Sequence, residues 1–447
     1  CTFASSFRKT IMNKIQILAI GLIGFSTLGY SQDTITIGKK DLLEKAAARN
    51  LQTQLAQKNY QSAKADYQQS NALFLPNITA SHTAISTTNP LMAFGSKLNQ
   101  EILTASDFNP ALLNDPDKTQ NFATVISLQQ PLLNADGMYE RKAARSKMQA
   151  YQLQSERTQE YIQLEVSKAY MQLQLAYKAV TVLAKAKATA QANLKLVSNY
   201  FQQGLVQKTD VLNVQIRVNE VENQYQYAKS NIRNASDYLG FLIDEDSKDK
   251  IYKPSEALAT TITVSTLTTK LPENRKDIQA MNESTSAYQK MYTSSKLHFL
   301  PRLNAFGSYE LYDQTLFGTK AKGYVVGAQL SLSIFDGYQS IGKMAKAKAE
   351  YQKATLETEQ YKKQSQLELN KTNRQLLDAE NKVNLSKLAY EQSQEAYRIR
   401  QNRFAQGLEK TTDLLQSETQ MIQKELEQLQ AVFEYQFTQE YLVFLSE

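Results

Sequence analysis

The 447-residue sequence contains no tryptophan, a single cysteine, two histidines and eight prolines. Few helix-breaking residues, beside many Gln, Ala, Leu, Lys and Tyr, favour long helices over a compact α/β fold. Cys1 alone cannot build a disulfide framework. His82 and His298 lie far apart in ordinary predicted elements, and no phosphate-binding glycine loop occurs. We therefore expect no catalytic, cofactor or metal site, and a protein that is not an enzyme.

Apolar runs long enough for a transmembrane helix are also missing. The longest apolar run, residues 17–28, follows three basic residues and precedes small ones. This pattern predicts a secretory signal peptide within residues 1–31, with the start at Met12. Removing those basic residues lowers the formal net charge from +7 to +4, which is too balanced to favour a nucleic-acid partner. If the exported chain enters a membrane, it must do so as strands.

One long motif occurs twice in the sequence. YFQQGLVQKTDVL, residues 200–212, returns 203 positions later as RFAQGLEKTTDLL, residues 403–415, with seven of the 13 letters identical. FLPNITA at residues 74–80 is echoed by FLPRLNA at residues 299–305. We therefore expect one module written twice along the chain.

Each copy is predicted to contain short helices, two strands and a long helical hairpin. Proline, Asp-Gly pairs and changes of hydrophobic period set the boundaries. The predicted segments are 1–31, the upstream residues and signal peptide; 32–75, the short helices of repeat 1; 76–136, strands 1 and 2 with an extracellular loop; 137–245, the helical hairpin of repeat 1; 246–300, the linker and short helices of repeat 2; 301–336, strands 3 and 4; and 337–447, the helical hairpin of repeat 2.

Apolar residues recur on a 4-3-4-3 spacing through the first predicted long helix, from Ile162 to Phe201. This period of 3.5 residues indicates left-handed supercoiled packing. Counted from Arg141, the helix would be roughly 90 Å long. Its other faces are rich in Gln, Lys, Glu and Ser, as expected for a helical wall beside water. Periodicity alone leaves a rod-like coiled coil as the alternative.

Alternating apolar and polar residues mark the predicted strands, for example at residues 121–130 and 323–335. About ten such positions are typical of an outer-membrane barrel strand, although a soluble sandwich strand alternates in the same way. Four strands cannot close a barrel, which needs about eight or more. Three copies of the chain would supply twelve, so we predict a homotrimer, and a tetramer stays open.

Gly204 and Gly407 each follow a predicted long helix. Glycine readily takes the left-handed conformation that ends a helix, and the Thr-Asp pairs at 209–210 and 412–413 can cap the next one. An αα-hairpin explains these residues without any function. Apolar residues beside the glycines are expected to be exposed, which would favour a partner protein. They are Leu205, Val206 and Leu408.

These residues carry a family resemblance. The predicted exported chain resembles the TolC-like outer-membrane efflux proteins, whose internal repeat has the same order. The resemblance is strongest at the hairpin tips, just downstream of them, and at the strand-to-helix turns. The motifs are Gln203-Gly204-Leu205, Gln406-Gly407-Leu408, Thr209-Asp210-Val211, Thr412-Asp413-Leu414, LNADG at 133–137 and IFDG at 334–337.

The resemblance implies a mainly α fold with a membrane β part. In this trimeric channel-tunnel, four strands per chain form a 12-stranded β-barrel joined to a long α-helical barrel, with an internal two-fold repeat. The Gly-Leu tips would face the periplasm and bind a periplasmic membrane-fusion adaptor. Asp210 and Asp413 would lie near a periplasmic aperture that opens like an iris.

The sequence departs from the family's best-known member near this aperture. Glu409 stands where that protein has an arginine that helps to hold the aperture shut, and Gln416 stands where it has a second acidic residue. We expect Glu409 to repel Asp210, so that a lock would have to use Lys208 or Lys410. The resting aperture is therefore predicted to be held less firmly and to carry less negative charge.

Residues 88–118 form a long connection between the first two strands and are predicted to face the cell exterior. Loops of this length are often functional or disordered. The apolar residues 91–94 could fold inward as a lid or pack against the barrel rim, and we favour packing. The connection near Asp313–Lys320 is expected to be much shorter.

Together, sequence and resemblance predict an exit duct in the outer membrane that extends into the periplasm and conducts substrates passively. The expected partners are further copies of the chain, outer-membrane lipid, the adaptor and an inner-membrane transporter. A transporter of the resistance-nodulation-division type, exporting drugs or metal ions, is favoured. Type I protein secretion is the first alternative, and a periplasmic coiled-coil scaffold without a pore is the second.

Overall fold

The computed structural model of the chain describes residues 33–246, 250–259 and 269–447. The predicted signal peptide lies outside these residues. The helices are α1 Lys39–Arg49, α2 Leu51–Gln69, α3 Pro90–Asn99, α4 Pro110–Asn114, α5 Ala135–Gln202, α6 Lys208–Leu242, α7 Lys276–Leu297, α8 Gln339–Ala405 and α9 Thr411–Ser446. Two 3₁₀ turns cover Ser70–Leu73 and Ala105–Phe108.

The two longest helices, α5 and α8, contain 68 and 67 residues. α5 begins before Arg141, from which the sequence-based length is counted. Asn134 accounts for the earlier start, because its side chain accepts a hydrogen bond from the Gly137 backbone N–H at 3.1 Å and caps the first turn. Within the described ranges, every helix is too short or too polar to cross a lipid bilayer.

The strands are β1 Asp33–Ile37, β2 Asn77–Thr87, β3 Thr119–Leu133, β4 Lys250–Pro254, β5 Arg302–Asp313 and β6 Ala321–Ser331. The four strands predicted from alternation are confirmed, although β6 ends at Ser331, before the end of the alternating residues 323–335. They form one antiparallel sheet in the order β2-β3-β5-β6. Within the described chain, β2 and β6 therefore pair on one side only.

The register gives this sheet two chemically different faces, because paired residues of antiparallel strands point to the same side. One face carries polar rows, and the Thr79 and Ser127 hydroxyls meet there at 3.0 Å. The opposite face carries mainly apolar rows. Polar-face rows are Thr79–Ser127–Ser308–Val325 and Ser81–Val125–Glu310–Gly323; opposite-face rows are Ile78–Leu128–Gly307–Val326 and Ala80–Ile126–Tyr309–Tyr324.

A second sheet was not predicted from the sequence. β1 and β4 pair in parallel, and Tyr252 of β4 is fully buried against a core that includes Leu173 and Leu239. The Tyr252 backbone N–H also donates a hydrogen bond to the Ser236 hydroxyl at 3.1 Å. Each strand has only five residues, too few for alternation to be distinguished from the surrounding loop.

The described residues divide into two compact units. Unit 1 comprises those within Cys1–Leu51, Ile162–Ser265 and Gln375–Glu440, and unit 2 comprises those within Gln52–Tyr161, Thr266–Arg374 and Tyr441–Glu447. Both glycine-containing hairpin tips lie in unit 1, and the four-stranded sheet lies in unit 2.

The seam predicted along α5 forms much of the core of unit 1. Most of its residues are buried, including Val166, Leu173, Ala190 and Val197. Its last member, Phe201, is 43% exposed because the helix ends there beside the turn. The heptad pattern therefore locates the packed face well but overextends it at the tip.

The connection between β2 and β3 is folded into short helices that pack on the sheet. Gln100 is buried, and its side-chain amide donates hydrogen bonds to the Gln120 carbonyl and the Asn121 side chain, both at 2.8 Å. Ala93 is buried, whereas Leu91 is 81% exposed. Among residues 91–94, Ala93 thus agrees with the packing interpretation, whereas Leu91 and Met92 are exposed and do not.

Candidate functional site

The two hairpin tips end their first helices in the same way. Gly204 and Gly407 have φ angles of +75° and +74°, the left-handed region that favours glycine. In the first tip, the Leu205 N–H donates to the Tyr200 carbonyl at 2.9 Å, the long-range bond of a Schellman motif. The second tip repeats this bond between Leu408 and Arg403 at 2.9 Å. The repeated sequence therefore encodes a repeated turn.

Each tip presents one leucine to solvent. Leu205 is 67% exposed and Leu408 is 63% exposed, and the Gln-Gly pairs that precede them, residues 203–204 and 406–407, are exposed too. Val206 does not share this exposure, contrary to the sequence-based expectation. It is partly buried and packs against the cluster that contains Val197 and Val214.

The two tips are held together by aromatic residues. The rings of Tyr200 and Phe404 lie 5.8 Å apart, and the Tyr200 hydroxyl donates to the Ala405 carbonyl at 3.1 Å. Phe404 is buried with Tyr397 and Leu414 in one hydrophobic cluster. The helical hairpins of the two repeats therefore present their exposed leucines from a shared, packed base.

The two aspartates of the repeated motif have different surroundings. The Asp210 carboxylate accepts a hydrogen bond from the Gln207 backbone N–H at 2.9 Å, as part of a capping box at the start of α6. Asp413 is half-buried near the start of α9, and its side chain makes no hydrogen bond or ion pair with the residues that the structure describes. The Asp210 carboxylate thus stabilises the start of α6, whereas the Asp413 carboxylate has no hydrogen-bond or ion-pair partner among the described residues.

Glu409 is held by arginines of its own hairpin. Its two carboxylate oxygens lie 3.1 Å from Arg400 Nη1 and 2.9 Å from Arg403 Nε. The expected repulsion of Asp210 is therefore offset locally. Lys208 and Lys410 form no ion pair within the described ranges of the single chain.

A buried polar cluster below the tips was missed by the sequence reasoning. Glu418 is fully buried, and it accepts a hydrogen bond from the Asn193 side chain at 2.5 Å. Arg217 Nε, also buried, lies 3.9 Å from Glu418 Oε1, and neither atom has a hydrogen-bond partner among the described residues. The spacing of the helix positions could have identified these two residues. Arg217 and Glu418 follow the buried Val214 and Leu414 by three and four positions, which places them on the same helix faces.

Burial raises the pKa of Glu418, although the charge of Arg217 and the hydrogen bond from Asn193 act in the opposite direction. The cluster connects α9 of the second repeat with α5 and α6 of the first. Over the part of the chain that the structure describes, no group of three or more His, Cys, Asp or Glu side chains is arranged to hold a metal ion.

The repeated architecture agrees with a comparison against protein families. A family profile described as "Outer membrane efflux protein" matches residues 42–243 and 267–445. The chain belongs to this family. It is thus an outer-membrane efflux protein, located in the outer membrane and extending into the periplasm, and its family is one of ducts rather than enzymes. A comparison with curated proteins finds no match.

Solved structures with a similar fold include several outer-membrane proteins. A membrane protein from Pseudomonas aeruginosa is 17% identical, with a TM-score of 0.80 over 94% of this chain and 95% of that chain. The outer membrane protein VceC from Vibrio cholerae is 16% identical, with a TM-score of 0.77 over 91% and 96%. The MtrE outer membrane channel from Neisseria gonorrhoeae, in its open state, is 16% identical, with a TM-score of 0.74 over 91% and 88%.

Proposed function

We propose that this outer-membrane efflux protein is the exit duct of a tripartite system, docked to a periplasmic adaptor and an inner-membrane transporter. The observation that carries the proposal is the matched pair of hairpin tips, which expose Leu205 and Leu408 from one packed base. Exposed apolar side chains on rigid, duplicated turns favour a protein partner over solvent. Gln203 and Gln406, beside them, can add hydrogen bonds at the rim of such an interface.

Further copies of the chain complete the duct in this proposal. The edges of β2 and β6 cannot remain unpaired in lipid, where each free backbone group costs several kcal/mol. Apolar-face residues of β6 are strongly exposed, with Tyr324 at 77% and Val326 at 76%. A homotrimer that pairs β6 of one copy with β2 of the next gives a closed barrel of about twelve strands, with its polar face inward.

Asp413 is the aperture residue of the proposed duct. No described residue forms an ion pair with its carboxylate, so copies of Asp413 brought together would attract cations at the periplasmic entrance. Glu409, Lys208 and Lys410 lie in the same region of the hairpin tips, and their charges would change the electrostatic potential at this entrance. Asp210 would add a further negative charge, although its carboxylate also caps a helix. The duct conducts substrates passively, because the inner-membrane transporter, of the resistance-nodulation-division type, supplies the energy for transport.

Site-specific cross-linking tests the docking proposal. Leu205→Cys or Leu408→Cys should form a covalent adduct with a co-produced membrane-fusion adaptor when a short bifunctional thiol–amine reagent is added to cells. Tyr227→Cys on α6 is the matched control, because Tyr227 is 70% exposed but lies on the side of a helix. Equal labelling at all three positions, or no adduct at either tip, would contradict docking through the tips.

A further inference from the structure

The polar face of the four-stranded sheet carries very little charge. Among the residues of β2, β3, β5 and β6, the Lys, Arg, Asp and Glu residues are Arg302, Glu310, Asp313 and Lys322. Alternation along β5 and β6 places Arg302 and Glu310 on the polar face and the other two on the opposite face. Arg302, the first residue of β5, is paired with Asp136. Glu310 is thus the one polar-face charge of these strands without a charged partner.

Two neighbours fix the position of the Glu310 carboxylate. The Ser308 hydroxyl donates to Oε1 at 2.9 Å, and the Tyr312 hydroxyl donates to Oε2 at 2.6 Å. Both neighbours lie two positions away on the same strand and therefore point to the same side as Glu310. The side chain is half-buried and held by neutral donors, which do not cancel its negative charge.

The surroundings of Glu310 on this face are small and uncharged. Its cross-strand partners are Val125 on β3 and Gly323 on β6. A side chain added at Gly323 would meet no atom within 4 Å, so the space beside the carboxylate is open. No cation of the described residues forms an ion pair with Glu310. Removing a charge without a counter-ion from water costs much free energy, so the face around Glu310 should be hydrated. A hydrated carboxylate on such a face attracts mobile cations.

We propose that Glu310 determines the charge selectivity of the duct, favouring cationic over anionic solutes within the β part. The inference rests on the proposed function, because three copies of the sheet would place three such carboxylates around one passage. Rings of acidic side chains are a general device for cation selectivity in pores. Ser308 and Tyr312 act as positioning residues, since their hydroxyl groups fix the carboxylate on β5, across from the open space at Gly323.

Reversal potentials in planar bilayers test the proposal. The purified full-length protein is measured in a potassium chloride gradient, as the parent and as Glu310→Gln, each also in an Asp413→Asn background that removes the proposed aperture charge. Glu310→Gln should lower the potassium-to-chloride permeability ratio by roughly twofold or more in both backgrounds. Glu310→Lys should invert the preference, and Gln129→Glu, which adds a carboxylate to the same face, should raise the ratio.

The outcomes separate the two proposals. A parent protein that folds but never forms a channel contradicts the proposed function. If the Glu310→Gln substitution leaves the permeability ratio unchanged in the Asp413→Asn background, the selectivity inference is overturned. The proposed function as a duct is not contradicted by that result. Single-channel conductance and trimer content of each variant show that a changed ratio reflects charge rather than misfolding.

Discussion

At the scale of single residues, Glu418 shows how the buried polar cluster responds to pH. Its carboxyl has a pKa raised above the ordinary value of 4.5 by burial, so the folded protein binds this proton more tightly than the unfolded chain does. The resulting stability is fully present below pH 4.5 and is lost as the pH rises through the folded pKa. We therefore predict that Glu418→Gln removes a fall in thermal stability that the parent shows above pH 4.5.

Melting temperatures measured in detergent between acidic and neutral pH would check this prediction. Glu391→Gln is the control, because Glu391 is an exposed glutamate on α8 and its loss should leave the pH dependence unchanged. A parent and a Glu418→Gln variant with parallel pH profiles would show that the carboxyl does not titrate in this window.

Substitution of the two motif aspartates should affect the stability of the protein differently. Asp210→Ala removes a capping-box hydrogen bond and should destabilise the protein by about 1 kcal/mol. Asp413→Ala breaks no described hydrogen bond, so it should lower cation selectivity while the melting temperature stays unchanged. Conductance, reversal potential and calorimetry on both variants would decide. Identical bilayer recordings for Asp413→Ala and the parent would contradict the proposal that Asp413 is an aperture residue.

At the scale of elements, the turns are where the backbone restricts the sequence most. Gly204→Ala and Gly407→Ala should each cost about 1 kcal/mol, because both positions have positive φ. An added methyl group meets no atom within 4 Å at either site, so the cost is conformational and not steric. Gly342→Ala within α8 is the opposite control and should stabilise by up to about 1 kcal/mol. Denaturant midpoints that move the same way at all three sites would refute this account.

The same elements show what the sequence could and could not predict. Long periodic segments such as α5, and strands with ten or more alternating residues, carry enough repeats to be recognised. β1 and β4 are too short for that, and their pairing depends on the distant Ser236 and Tyr252. At the site, Leu205 and Leu408 were predicted to be exposed, whereas Val206, Glu409 and Glu418 depend on which residues of other turns of helix they contact. Sequence spacing does not give those contacts.

At the scale of the whole molecule, the two edges of the sheet make assembly testable. Ile78→Cys, Ala80→Cys or Ala84→Cys on β2 is combined with Val326→Cys on β6. The pair that matches the register between chains should form interchain disulfides and yield covalent trimers in denaturing gels. Ile126→Cys with Val326→Cys is the control, because β3 is already paired on both sides. A ladder that ends at four chains would favour the tetramer, and no interchain bond at any register would contradict edge pairing.

The incomplete sheet of a single chain has a genetic consequence. In the proposed trimer every subunit must pair at both edges, so a subunit that folds but carries a damaged β2 or β6 edge would inactivate an assembly that also contains intact subunits. If normal and damaged subunits are produced equally and mix at random, only roughly one assembly in eight is free of damage. Edge-strand mutations in this protein should therefore be dominant in partial diploids, whereas mutations that abolish synthesis should be recessive.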